Sequence, residues 1–87
     1  MVWRVEFTTQ AQKALEWIQK REPILFPRII DVLESLRKNP FQGKVLKGEL
    51  IARYSYRVGS YRIVYRLHKG ELAVIVIKIG HRRDVYR

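Results

Sequence analysis

The stretch from Arg53 to Tyr86 leaves this chain little freedom. It reads as three strands joined by two tight turns. Gly59-Ser60 is the first turn, with glycine at the first central position of a type II′ hairpin, where φ > 0 is free of steric cost only without a Cβ. A two-residue loop there pairs Val58 with Tyr61, Arg57 with Arg62, Tyr56 with Ile63, Ser55 with Val64, Tyr54 with Tyr65 and Arg53 with Arg66. Side chains alternate along a strand. One face therefore carries Tyr54, Tyr56, Val58, Tyr61, Ile63, Tyr65 and Leu67, and the other carries Arg53, Ser55, Arg57, Arg62, Val64 and Arg66.

The second face sets arginine opposite arginine twice, each such pair costing up to about 1 kcal/mol relative to a neutral pair. Selection for stability alone would remove them, whereas a polyanion lying across the face turns the cost into binding. Leu72 to Ile79 is a nearly continuous apolar run, the pattern of a strand covered on both sides. Two loops to it are possible on paper. Lys69-Gly70 alone would pair Arg62 with Ile77 and put Lys78 on the core face. A three-residue loop, Lys69-Gly70-Glu71, pairs Arg62 with Lys78, Val64 with Val76 and Tyr65 with Ile75, and is preferred because it keeps every charge off the core face. A slip of one residue would invert it.

At 87 residues the chain is one domain, residues 1–87, and its 47% hydrophobic content is that of a globular protein. It has no cysteine, which excludes disulfides, zinc–thiolate sites and thiol nucleophiles and fits a reducing cytoplasm. Neither a signal peptide nor an apolar run of about 20 residues is visible, so no membrane role is expected. The net charge of +10 is uneven: residues 53–87 hold nine Lys and Arg against two acids, and residues 1–52 nine against six. A basic half made of strands points to a polyanionic partner.

Upstream, Val2 to Phe7 alternates as a half-buried strand with Trp3, Val5 and Phe7 inward. Thr9-x-x-Gln12 fits a capping box, opening a helix to about Arg21 with Ala11, Ala14, Leu15 and Ile18 on its apolar stripe and Trp17 bordering it as a core residue. A second helix starts near Leu25, tolerates Pro27 in its first turn, buries Phe26, Ile29, Ile30, Leu33 and Leu36, and stops at Asn39-Pro40. Phe41 to Leu50 is a loop with room for a short strand. Leu46 is expected to plug the core edge, and Lys44 and Lys47 to extend the basic surface. The expected architecture is α+β: an N-terminal strand and helical hairpin packed on one face of a mainly antiparallel four-stranded sheet, with the opposite face basic.

Chemistry concentrates at Gly80-His81-Arg82-Arg83-Asp84-Val85-Tyr86-Arg87. Arg82 and Arg83 suit phosphate oxygens. His81 is the best acid or base by type, and Tyr86 can donate a proton or stack on a base. His68 reads as an exposed, inert turn residue. In the preferred register Arg57, Arg62, Lys78, Arg82 and Tyr86 converge on one concave patch, with Arg53, Arg66, Arg83, Lys44 and Lys47 as further phosphate contacts. RNA cleavage by 2′-hydroxyl attack needs a proton acceptor, a proton donor for the leaving oxygen and positive charge around the transition state; arginines supply the last. No metal or cofactor is called for: there is no Walker A loop, no HExxH, no His/acid set at ligand spacing, and Glu71 and Asp84 are lone acids.

Leu46-Lys-Gly48, Tyr56-Arg-Val-Gly-Ser-Tyr-Arg-Ile-Val-Tyr-Arg66 and Val76-Ile-Lys-Ile-Gly-His-Arg-Arg-Asp-Val-Tyr86 resemble the toxins of the RelE family, within the wider RelE/ParE group. The resemblance covers essentially the whole chain. It implies a small α+β toxin that binds the ribosomal A site and cuts mRNA there without a metal, silenced by a cognate antitoxin with an acidic binding segment. It places Arg62, Arg82 and Tyr86 on the family's functional positions and Arg57 near a lysine often used there. Ser55 stands where a second lysine is found, a departure that leaves the general base open and His81 as a candidate. The ParE branch, which shares the fold and inhibits DNA gyrase, and a catalytically silent RNA- or antitoxin-binding module are the alternatives.

Overall fold

The computed structural model describes residues 2–48 and 52–81. Strand β1 (Arg4–Phe7) leads into helix α1 (Thr9–Arg21) and helix α2 (Leu25–Lys38). A short 3-10 turn (Pro40–Gln42) precedes β2 (Lys44–Leu46), then come β3 (Arg53–Val58), β4 (Tyr61–His68), a second 3-10 turn (Lys69–Glu71) and β5 (Ala73–His81). The five strands form one sheet in the order β1-β5-β4-β3-β2, antiparallel except for the β1–β5 pair. The expected class and the helical cover of one face are as read from the sequence. The sheet has five strands where four were expected, because Lys44–Leu46 pairs with β3 as a full edge strand. Neither helix is long and apolar enough to cross a membrane.

Alternation decides which side the helices cover. Trp3, Val58, Ile63, Tyr65, Val74, Val76 and Ile79 bury one sheet face against Ala11, Ile18, Ile29, Leu33 and Leu36. Ala14, Leu15, Phe26 and Ile30 pack at the margin of this core. Burying side chains of this size supplies about 1.5–3 kcal/mol each, which fixes the sheet's inner face. Trp17 departs from the expectation: it is 52% exposed. Leu46 is likewise outside the core cluster and only half-buried, since its partner Arg53 belongs to the outer face.

The β3–β4 hairpin has the register read from the sequence, from Arg53↔Arg66 to Val58↔Tyr61. Gly59 takes φ +61°, as a type II′ turn requires. The β4–β5 register differs from both paper versions. His68 pairs with Ala73 across a four-residue connection, in which Leu72 adopts a left-handed conformation (φ 51°) and His68 Nδ1 accepts a hydrogen bond from the Glu71 N–H (3.2 Å). His68 is exposed, as expected, yet it caps this turn. Residues 73–76 thus have the inverse facing of the preferred register, with Val76 in the core and Ile75 outside.

A bulge then restores the facing. The register shifts between Val64↔Lys78 and Tyr65↔Val76, so Ile77 has no opposite number and Lys78 returns to the outer side. The bulge is held by Thr8. Its N–H donates to Val76 O (3.0 Å) and its Oγ1 donates to Ile77 O (2.8 Å) while accepting from the Ala11 N–H (3.2 Å). Thr8, one residue before the expected Thr9, is therefore the N-cap of α1.

Candidate functional site

The sheet face opposite the helices, which no other described element covers, is built by register. Paired residues share a face, so three rows cross it. One row is Leu46, Arg53, Arg66 and Ile75; the next is Lys44, Ser55, Val64 and Lys78; the third is Arg57, Arg62 and Gly80. Ser55 and Val64, each 3% exposed, form the floor. Lys44, Arg53, Arg66, Lys78, Arg62 and Arg57 surround that floor. Strands lie about 4.8 Å apart and residues two apart on a strand roughly 7 Å, so the six cations stand within one Debye length of their neighbours.

Among the described residues, Glu6 and Glu71 are engaged away from these cations. At the β1 edge, Arg4 Nε donates to Glu6 Oε2 (2.7 Å) and Arg4 Nη2 to Glu71 Oε2 (3.3 Å). Among the described residues no ion pair joins Lys44, Arg53, Arg57, Arg66 or Lys78. The expected like-charge pairs Arg57↔Arg62 and Arg53↔Arg66 are both present. Arg57 Nε donates to Gly59 O (3.1 Å), which holds its guanidinium over the turn. The Nε of Arg62 is buried. Arg62 also lines a cleft of about 440 Å³ with Lys44, Val45, Leu46 and Lys47. The arrangement can grip phosphate oxygens from several sides at once, with charge-assisted donors.

The position of β2, and so of Lys44 and Lys47, depends on one buried hydroxyl. Tyr65 Oη donates to Pro40 O (2.8 Å) and accepts from the Gly43 N–H (3.0 Å). Burial, reinforced by Tyr54 and Tyr56 and opposed by the Gly43 N–H, pushes the Tyr65 phenol up to about 12. Tyr54 stacks on Tyr65 (5.3 Å between centroids), and Phe41 and Trp3 continue the contact edge-to-face.

The sequence-predicted residues divide three ways. Arg53, Arg57, Arg62, Arg66, Lys44 and Lys78 come together on the outer face, with Lys47 at its rim. His81 does not join them. It pairs with Tyr61, meets that ring edge-to-face (5.7 Å), and lines a second cleft of about 230 Å³ with Ala14, Trp17, Ile18, Tyr61, Ile79 and Gly80. That cleft is on the helix side, because the bulge at Ile77 sets His81 in phase with Ile79 of the core. Arg82, Arg83 and Tyr86 lie outside the described residues. Arg28 was not singled out from sequence, yet a side chain added at Gly59 would come within 3.6 Å of its Nη1. Its position in the first turn of α2, where the helix dipole disfavours a cation, was the available signal. Among the described residues no three His, Cys, Asp or Glu side chains cluster to hold a metal ion.

Residues 5–86 match a family described as the ParE toxin of the type II toxin–antitoxin system, parDE. The chain is 33% identical, over all of its length and 99% of the relative's, to Toxin RelG of Mycobacterium tuberculosis. Its fold is similar to that in the crystal structure of the toxin–antitoxin complex RelBE2 from Mycobacterium tuberculosis, with a TM-score of 0.78 and 30% identity over 94% of this chain and 100% of that one. It is also similar to the archaeal RelE–RelB complex from Pyrococcus horikoshii OT3, with a TM-score of 0.74 and 25% identity over 94% and 97% of the two chains. A small α+β domain with two helices on one sheet face, matched along nearly its entire length by these toxins, belongs to the RelE/ParE superfamily of type II toxin–antitoxin toxins.

Proposed function

We propose that this toxin is a ribosome-dependent mRNA endoribonuclease, cutting mRNA in the ribosomal A site by metal-independent attack of a 2′-hydroxyl on the adjacent phosphate. The observation that carries the reading is the ring of six cations around Ser55 and Val64 on the face the helices leave open. Negative charge grows on the phosphate oxygens as the pentacoordinate transition state forms, and fixed guanidinium groups stabilise it without reorganising. Arg62 is assigned to the scissile phosphate. Arg82 and Tyr86 are assigned, through the resemblance of their segment to RelE toxins, to transition-state charge and to proton donation to the leaving 5′-oxygen. Arg53, Arg57, Arg66, Lys78, Arg83, Lys44 and Lys47 bind the flanking RNA. His81 is left out of this chemistry because it stands on the helix side of the sheet.

The partner is a cognate antitoxin whose acidic segment neutralises the same cations; the similar structures from Mycobacterium tuberculosis and Pyrococcus horikoshii OT3 are toxin–antitoxin complexes. The site of action is the cytoplasm, where ribosomes and mRNA are. Primer extension on mRNA from cells expressing the chain tests the reading. It predicts cuts at A-site positions in translated regions only, and removal of Arg62 as Arg62→Ala slows cleavage about 10²–10³-fold. Growth arrest with intact transcripts would reject it. A second reading, inhibition of DNA gyrase, is favoured by the match of residues 5–86 to the ParE family. Accumulation of gyrase cleavage complexes with purified gyrase would establish it.

A further inference from the structure

The basic face does not end at the edge of the sheet. Arg57 and Arg62 form its last charged row, and the Gly59-Ser60 turn closes the hairpin just beyond. On the other side of that turn Arg28 leans against Gly59: its Nη1 is 3.6 Å from where a Cβ would stand there, and Arg57 Nε donates to the Gly59 carbonyl from the outer side (3.1 Å). Standard bond lengths along the Gly59 backbone put the two guanidinium groups no more than ~11 Å apart. That is about one Debye length, so their repulsion is only partly screened. Arg28 is exposed, and among the described residues it forms no ion pair. A line of positive charge therefore passes from the uncovered face around the hairpin tip to the helix side.

The second cleft begins beside that turn, at Tyr61, the residue that follows Gly59-Ser60. It holds about 230 Å³ and is lined by three ring-bearing side chains, Trp17, Tyr61 and His81, over Ala14, Ile18 and Ile79. Tyr61 and His81 already meet edge-to-face, and Trp17 is 52% exposed although it belongs to a helix that buries Ala11 and Ile18 completely or nearly so. Gly80 lies in both places. It faces Arg62 in the outer row and lines the cleft, so no side chain at that position separates the two. Aromatic walls that begin at Tyr61, beside a hairpin tip flanked by Arg57 and Arg28, are suited to stacking a base while the backbone is held electrostatically.

We propose that the Trp17–Tyr61–His81 cleft is a nucleobase subsite, taking one unstacked base of a single-stranded RNA whose phosphates run from Arg57 and Arg62 over the hairpin tip to Arg28. The proposal rests on RNA being the ligand of the basic face. A base is the occupant because three of the lining side chains carry rings, and because Tyr61 adjoins the turn that Arg57 and Arg28 flank, continuous with the face assigned to the phosphates. It also gives His81 a part in the protein, as a wall of the base subsite.

The test is equilibrium binding of a short oligouridylate and of an abasic ribose-phosphate oligomer of equal length to the intact chain, with tryptophan emission recorded. The chain has two tryptophans, and Trp3 is buried at 9% exposure, so quenching reports on Trp17. The expected result is quenching by oligouridylate and not by the abasic oligomer, with the base-bearing strand bound more tightly. Trp17→Ala should weaken oligouridylate about 5- to 150-fold and leave its salt dependence unchanged, since no phosphate contact is lost. Equal affinity for the two oligomers, or unchanged affinity in Trp17→Ala while Arg62→Ala still weakens binding, overturns the subsite and leaves the RNA reading standing. Quenching by an acidic apolar peptide but not by RNA also overturns it, and assigns the cleft to a protein partner. If the unaltered chain binds neither oligomer at low salt, the RNA reading fails and the subsite with it.

Discussion

Gly43 touches the Tyr65 hydroxyl so closely that the two positions must respond as one. A Cβ at Gly43 would stand 2.5 Å from Tyr65 Oη, 3.1 Å from its Cζ and 3.2 Å from Ser55 O. The backbone there, with φ −71° and ψ 163°, is open to any residue, so the cost of Gly43→Ala is steric. Overpacking of this kind costs about 1–3 kcal/mol, offset by about 0.4–1 kcal/mol of reduced unfolded-state entropy. Tyr65→Phe removes the bonds to Pro40 O and the Gly43 N–H and should cost about 1–3 kcal/mol. In the double variant the 2.5 Å contact is gone, and only contacts just beyond 3 Å remain. Gly43→Ala should then be nearly neutral, giving a coupling of about 1–2 kcal/mol. Urea denaturation of the four proteins at constant m measures it. Additivity within about 0.5 kcal/mol would refute the reasoning. Because Gly43 immediately precedes β2, Tyr65→Phe should also loosen the Lys44–Lys47 rim of the 440 Å³ cleft.

Two further outcomes follow from the same contacts. Burial raises the Tyr65 phenol from 10 to about 12, so the folded state keeps a proton that the unfolded state loses; stability on the order of 2–3 kcal/mol is present below pH 10 and is lost as pH rises toward 12. Absorbance titration should show one tyrosine ionising last, and Tyr65→Phe should remove that phase; five tyrosines titrating together would contradict it. Thr8→Ala removes both the α1 cap and the partner of the Ile77 carbonyl and should cost about 1–3 kcal/mol in urea unfolding, with Thr8→Ser close to the parent; a loss under about 0.5 kcal/mol would show that the bulge is held by other means.

The hairpin could be read from residues alone because its determinants are local. Gly59 sets the turn, and alternation of arginine with tyrosine sets the faces. The β4–β5 register could not, because its determinants are a left-handed Leu72 and a bulge at Ile77. Leucine gives no signal for positive φ, and the bulge is stabilised by Thr8, 69 residues away in sequence. The bulge returns Lys78 to the basic face, and plain alternation from Lys78 then puts His81 on the helix side, a consequence of the register that its choice as an acid or base by residue type did not weigh. The Trp17 cleft and Arg28 were missed for a related reason. Helical periodicity reports which side of α1 is apolar, but not that Trp17 at its border lines a cleft with the end of β5.

The claim underneath the rest is that the cations around Ser55 and Val64 are where RNA phosphates lie. Salt dependence of single-stranded RNA binding tests it most directly. Each contacting cation contributes about 0.7 to the slope of log K against log salt. Neutralising Arg53, Arg57, Arg62, Arg66 or Lys78 in turn should lower the slope by about that amount, and neutralising the exposed Lys20 or Lys38 of the helices should leave it unchanged. A slope that falls with the helix lysines and not with the five sheet-face cations would contradict the account.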